Sequence, residues 1–194
     1  FSNIAEEKQC FCLPDVASLL DDLAVADTTK NHQSFDVALG YLKDVLAQSK
    51  HALECMRCIR RSEYCMLLAI LIEKLVLASE KVTREHILAP SRNTDDRSSI
   101  GASNYHTAAA SVKFGSYSLS SIEHRFLVRG LMKLYLESCR TFVAKLVHIA
   151  RISKREGQEA LLVETEQHID RIQMSIEDMT HIPDDGPIHS INDN

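Results

Sequence analysis

The chain has no apolar run of the roughly 20 residues that a helix needs to cross a bilayer, and no basic leader with an apolar segment behind it at its start. Nor is there an excess of positive charge, since Lys and Arg number 22 against 27 Asp and Glu. The first two absences argue against a membrane span and a visible secretion signal. The third argues against a surface that grips nucleic acid by itself, because phosphate binding needs clustered Lys and Arg. Glycine is scarce, with six in 194 residues, and none falls in a Walker or Rossmann phosphate-binding pattern. The nine histidines are scattered, with no pair four apart enclosing a carboxylate as a zinc-dependent hydrolase requires. Ser121 to His124 has no G-x-S-x-G turn to make a serine nucleophilic. These gaps point away from an enzyme, and the sequence assigns no catalytic or cofactor-binding residue.

What the chain does have is a core. Apolar residues make up 45% of it, enough for one sizeable hydrophobic interior. Tyr64 to Ala78 is apolar except for Glu73 and Lys74; a helix apolar on nearly every side belongs at the centre of a bundle. Around it the spacing predicts other helices. Pro14 suits the first turn of a short amphipathic helix carrying Val16, Leu19, Leu20 and Leu23. Asp27 to Gln33 reads as a polar loop, and Ser34 as the N-cap of a long second helix. Phe35, Leu39, Leu42, Leu46, Ser49, Leu53 and Met56 step along one face of that helix. Arg60 to Glu63 predicts a turn, with Ser62 placed to cap the central helix.

Ala89 to Ser111 has little hydrophobicity and no period, which predicts a long mobile loop. Val112 to Tyr117 reads as extended. Ser120 and Glu123 form a capping box before a densely apolar helix that runs to about Arg151, with Gly130 expected at a close helix contact. Gly157 is expected to divide it from a last helix, where Leu162, Ile169, Ile172, Ile176 and Met179 recur in alternating fours and threes and Thr165 leaves a gap. The acids of this helix read first as the solvated face of a packed helix; the alternative is a recognition surface that offers the apolar stripe to a partner, and the stripe is the candidate protein-interaction surface. Pro183 to Asn194 reads as a frayed tail. The expected architecture is therefore all-α: about five helices around a buried central one, in a single domain spanning 1–182, with the loop at 89–111 inside it.

Six cysteines, Cys10, Cys12, Cys55, Cys58, Cys65 and Cys139, sit in a chain with a strong core, so reduced thiols in a nuclear or cytosolic setting are expected in preference to disulfides. The spacing of Cys55, Cys58 and Cys65 matches half of a binuclear zinc cluster, but no second trio follows closely. Core packing is therefore the favoured role, with a metal or redox role shared with Cys10 and Cys12 as the alternative. No metal ligand is assigned within the chain.

One family resemblance runs through Cys12 with Leu19-Leu20, Phe35-Asp36-Val37-Ala38-Leu39, the Lys50 to Leu53 turn, and Cys55, Cys58 and Cys65 ahead of the leucine-rich helix. It resumes at Phe114-Gly115-Ser116-Tyr117 with Glu123 opening the long apolar helix. In these positions, over about Cys10 to Ile149, the chain resembles the C-terminal regulatory region of aflatoxin-regulator-like fungal zinc-cluster transcription factors. The resemblance implies a nuclear regulator of a secondary-metabolite gene cluster that works through a co-regulator protein, a second copy of itself, or both. It also implies that zinc and DNA contacts belong to an N-terminal module lying before Phe1, the chain opening at Phe1 being read as a fragment. A helical sensor of an apolar pathway metabolite is the competing expectation.

Overall fold

In a computed structural model the described residues are 10–28, 34–88, 113–114 and 117–178. The expected loop at 89–111 and tail at 183–194 lie outside them. Among the described residues the fold is an all-α bundle of five helices: α1 (Cys12–Thr28), α2 (Phe35–Ala52), α3 (Ser62–Thr83), α4 (Ser121–Ile152) and α5 (Glu156–Asp178). A two-residue antiparallel ladder pairs Lys113 with Ser118 and Phe114 with Tyr117, where the sequence reads as extended.

The apolar run of α3 ends where its physical chemistry says it must, inside. Leu68, Ala69, Leu71, Ile72, Leu75 and Val76 are wholly buried, and α3 packs against all four other helices. Its period persists past Ala78 through Ser79 and Thr83, both buried, so the helix outlasts the sequence signal. It then widens into one π-helical turn over Arg84–Leu88 that buries Ile87. In that turn the His86 ring meets Phe35 edge-on, with centroids 5.8 Å apart, and partial burial holds its pKa below the ordinary histidine value.

The other helices supply matching stripes. Along α4, Val128, Met132, Tyr135, Leu136, Cys139, Phe142, Val143, Leu146, Val147 and Ala150 are buried at helical spacing. Its start is the capping box read from sequence: Ser120 Oγ accepts from the Glu123 backbone N–H at 3.3 Å, and the Glu123 carboxylate accepts from the Ser120 N–H at 2.7 Å. Ser34 does occupy the cap position of α2, but its side chain caps no backbone N–H. Hydrogen bonds from Ser34 and from its own backbone hold the Asp36 carboxyl below its usual range instead.

Four local expectations are corrected. First, α2 stops at Ala52, so Met56 lies in the following turn and is 67% exposed, not on a helical face. Second, Arg61 and not Ser62 is the residue preceding α3; the Ser62 hydroxyl and carbonyl both accept from Gln158 Nε2, at 3.1 and 2.8 Å. Third, Gly130 is exposed, with nothing within 4 Å of where a Cβ would stand, and marks no close contact. Fourth, Gly157 sits inside the first turn of α5.

The break between α4 and α5 is made by Lys154, whose φ of 54° is left-handed. The Arg155 N–H returns to the Ala150 carbonyl at 2.9 Å and the Lys154 N–H to Arg151 at 3.1 Å, the paired bonds of a Schellman turn. A residue with a Cβ in that conformation costs about 1–2 kcal/mol, part of which glycine returns through its freer unfolded chain. Lys154→Gly is therefore expected to stabilise the fold by about 0.5–1 kcal/mol, read as a higher denaturant midpoint at unchanged slope. A lower midpoint would show that the lysine side chain contributes more than its backbone costs.

α5 closes the bundle against α3 and α4. Thr165 fills the gap in its apolar stripe: it is buried, and its hydroxyl donates to the Leu161 carbonyl at 2.8 Å. Several acids of its outer flank face bases of α4, as in Glu177 with Lys133 at 3.0 Å, Glu159 with Arg151 at 2.7 Å, and Asp170 with Arg140. Arg140 also reaches Gln173 at 2.6 Å. Exposed pairs of this kind add little stability each, but they fix how α5 lies along α4.

Candidate metal centre

The residues singled out as an interaction stripe do not form a surface in this fold. Leu162, Ile169, Ile172 and Ile176 are 2%, 0%, 3% and 0% exposed, and Met179 lies outside the described residues. A partner reaches these four side chains only if α5 lifts from the bundle. This corrects the expectation that the stripe is offered outward; the alternating period comes from packing within the chain.

The structure gathers chemistry at one end of the bundle. Between α2 and α3 the chain turns through Leu53 to Arg61, with the Ile59 N–H bonded to the Cys55 carbonyl at 3.0 Å and the Arg61 N–H to the Cys58 carbonyl at 2.9 Å. These bonds curl the C-x-x-C segment so that Cys55 and Cys58 lie side by side. Tyr64, 1% exposed, donates from its hydroxyl to the Ala52 carbonyl at 2.9 Å, tying the last residue of α2 to the first turn of α3 across the loop. Burial raises its pKa. From the opposite side, Arg155 Nη2 donates to the Arg60 carbonyl at 2.8 Å and Gln158 holds Ser62. The turn is thus fastened by groups from α3, the α4–α5 junction and α5.

Against this turn comes the beginning of α1. Cys12 is its first residue and Cys10 lies two before it. Cys10 Sγ is 2.8 Å from Cys12 Sγ, 3.4 Å from Cys55 Sγ and 3.3 Å from Cys58 Sγ, and all four sulfurs lie within 4.8 Å of one another. Burial grades across the group: Cys58 is buried, Cys12 and Cys55 are partly so and Cys10 is exposed. The thiols share protons unevenly. The Cys58 backbone N–H and the neighbouring sulfurs bring Cys55 down to about 6, while desolvation and hydrogen bonding with Cys10 raise Cys58 to about 11, and hydrogen bonding with Cys10 together with burial pushes Cys12 well up. The arrangement favours one thiolate receiving hydrogen bonds from its neighbours.

The other two cysteines are buried core residues, the role favoured from sequence for Cys65 together with Cys55 and Cys58. Cys65 is buried and donates its thiol to the Ile59 carbonyl at 3.1 Å. Cys139 is wholly buried beside Tyr135, and burial raises its pKa to about 11. The half-cluster spacing of Cys55, Cys58 and Cys65 is therefore split, and Cys58 and Cys55 gather with Cys10 and Cys12 instead. The signal available in the sequence was the pair of close spacings, C-x-C and C-x-x-C, each of which makes a two-ligand hook. What it lacked was any local sign that the hooks meet, since α1 and α2 lie between them.

Among the described residues, no helix is long and apolar enough to cross a membrane. Comparisons with protein-family models, with curated proteins and with solved structures gave no match in any of the three.

Proposed function

We propose that the chain is a regulatory domain of a fungal zinc-cluster transcription factor, acting in the nucleus on a secondary-metabolite gene cluster through a co-regulator protein or a second copy of itself. On this reading DNA is gripped by a module outside the chain, with its own zinc, and this portion does no chemistry. The observation that carries the reading is the bundle itself, five helices around α3. Their order follows the residues of the resemblance: Leu19-Leu20 on α1, Phe35 to Leu39 opening α2, the cysteine turn ahead of the leucine-rich α3, and Glu123 opening α4. Support also comes from the interior, which is filled by apolar side chains.

The test is transfer of function. Fused to an unrelated DNA-binding domain in a yeast reporter strain, residues 1–194 are expected to raise or silence transcription at least several-fold. A reporter level equal to that of the bare DNA-binding domain would contradict the reading.

A second reading, a sensor of an apolar metabolite, is favoured by one feature. A cleft of about 460 Å³ between α1 and α3 is lined by Leu20, Leu23, Ala24, Leu77 and Ala78, with Lys74 at its edge. Its size falls within the range of small-molecule sites. Pathway extracts that raise the melting temperature of the purified chain would favour this reading, because a ligand bound only to the folded state stabilises it.

A further inference from the structure

We propose that Cys10, Cys12, Cys55 and Cys58 together bind one zinc ion, which ties the start of α1 to the turn between α2 and α3. This departs from the expectation of no metal within the chain and is independent of the regulatory reading.

Zinc bound by thiolates is tetrahedral, with bonds of about 2.3 Å, so its sulfurs stand about 3.8 Å apart. Here the sulfurs lie 2.8, 3.3 and 3.4 Å from Cys10, with every pair within 4.8 Å. Small side-chain movements about fixed backbones bring that set onto a tetrahedron around one ion. The span is too short for a polynuclear cluster, whose terminal thiolates are spread around several ions. Four sulfur ligands and no open position make a structural and not a catalytic site.

The surroundings suit the charge. Binding forms four zinc–sulfur bonds and releases the remaining thiol protons to solvent, with no electron transfer, and leaves the centre with two negative charges. Arg57 lies within the C-x-x-C span, and Arg60 and Arg61 follow directly. A disulfide needs two sulfurs about 2.0 Å apart; here the sulfurs stand 2.8, 3.3 and 3.4 Å from Cys10, and all four cysteines are free. Soft sulfur ligands in tetrahedral array select zinc over the hard cations.

The test begins with the whole chain, expressed in zinc-supplemented medium and purified with a thiol reductant. Elemental analysis is expected to give one zinc per chain, and native mass spectrometry one added ion. Cys55→Ser with Cys58→Ser, and separately Cys10→Ser with Cys12→Ser, should each lower bound zinc to background, while Cys139→Ala keeps it. Should the serine variants misfold, cobalt(II) titration of the unaltered chain decides: it should saturate at one ion with the strong sulfur-to-cobalt charge-transfer absorption of a tetrathiolate. A reduced chain that holds no zinc, zinc retained in both serine pairs, or a cobalt spectrum without thiolate bands would each overturn the proposal. So would bound iron in place of zinc, or recovery of the four cysteines as disulfides under reducing conditions.

Discussion

Ile172→Asp is expected to unfold the bundle. Ile172 is 3% exposed on the face of α5 that meets α3 and α4, and Ile169 and Ile176 beside it are wholly buried. A carboxylate there loses its water without gaining a partner, which ordinarily costs several kcal/mol. Loss of the isoleucine's own packing adds roughly 2–5 kcal/mol for a large-to-small core change. Domains of this size have about 5–15 kcal/mol in all. The expected result is a chain that is insoluble or lacks a cooperative melt. If the variant instead kept its helical circular dichroism and melting temperature and merely ceased to self-associate, α5 would be a docking helix and its place in the core would be wrong. The same substitution at Glu164, exposed on the outer face of α5, should change stability by less than about 0.5 kcal/mol.

The second large effect belongs to α3. Ile72 is wholly buried in the middle of the helix that every other helix covers. Ile72→Ala removes three carbons from a site that neighbours on several sides prevent from collapsing, so the loss is expected near the upper part of the 2–5 kcal/mol range. Leu77, five residues on, is 38% exposed, and Leu77→Ala should lose under about 1 kcal/mol. Urea denaturation of both variants measures the difference through their midpoints. Equal losses would mean that α3 is covered evenly and that the cleft beside Leu77 closes in solution.

That contrast shows how far the sequence could be read. The run from Tyr64 to Ala78 announces burial, because only Glu73 and Lys74 interrupt its apolar residues, and the central place of α3 followed directly. The Ser120–Glu123 cap was legible for a similar reason, since donor and acceptor lie within one turn. Periodicity at Leu162, Ile169, Ile172 and Ile176 likewise identified an apolar face correctly. It could not say whether that face meets the same chain or another, because the pattern is identical in both cases. The end of α4 was read to within one residue, at about Arg151 against Ile152, but the break was assigned to Gly157 because glycine is the usual left-handed residue after a helix, whereas Lys154 takes that conformation three residues earlier.

The thiol group lay at the limit of what sequence can give. Each pair was visible, yet their meeting depends on α1 and α2 folding back to place Cys12 beside the Cys55–Cys58 turn. Tertiary packing decides that, through Val16 and Leu19 on α1 and Leu42, Val45 and Leu46 on α2, all buried. No local spacing encodes it. Cys65 shows the converse: its spacing from Cys58 invited a metal role, but on α3 its thiol turns to the Ile59 carbonyl.

The most direct measurement of the four-sulfur centre is zinc X-ray absorption on the purified full chain. The account predicts a first shell of four sulfurs at about 2.3 Å and no nitrogen or oxygen scatterer. A shell containing imidazole or oxygen, or a sample with no zinc to measure, would contradict it.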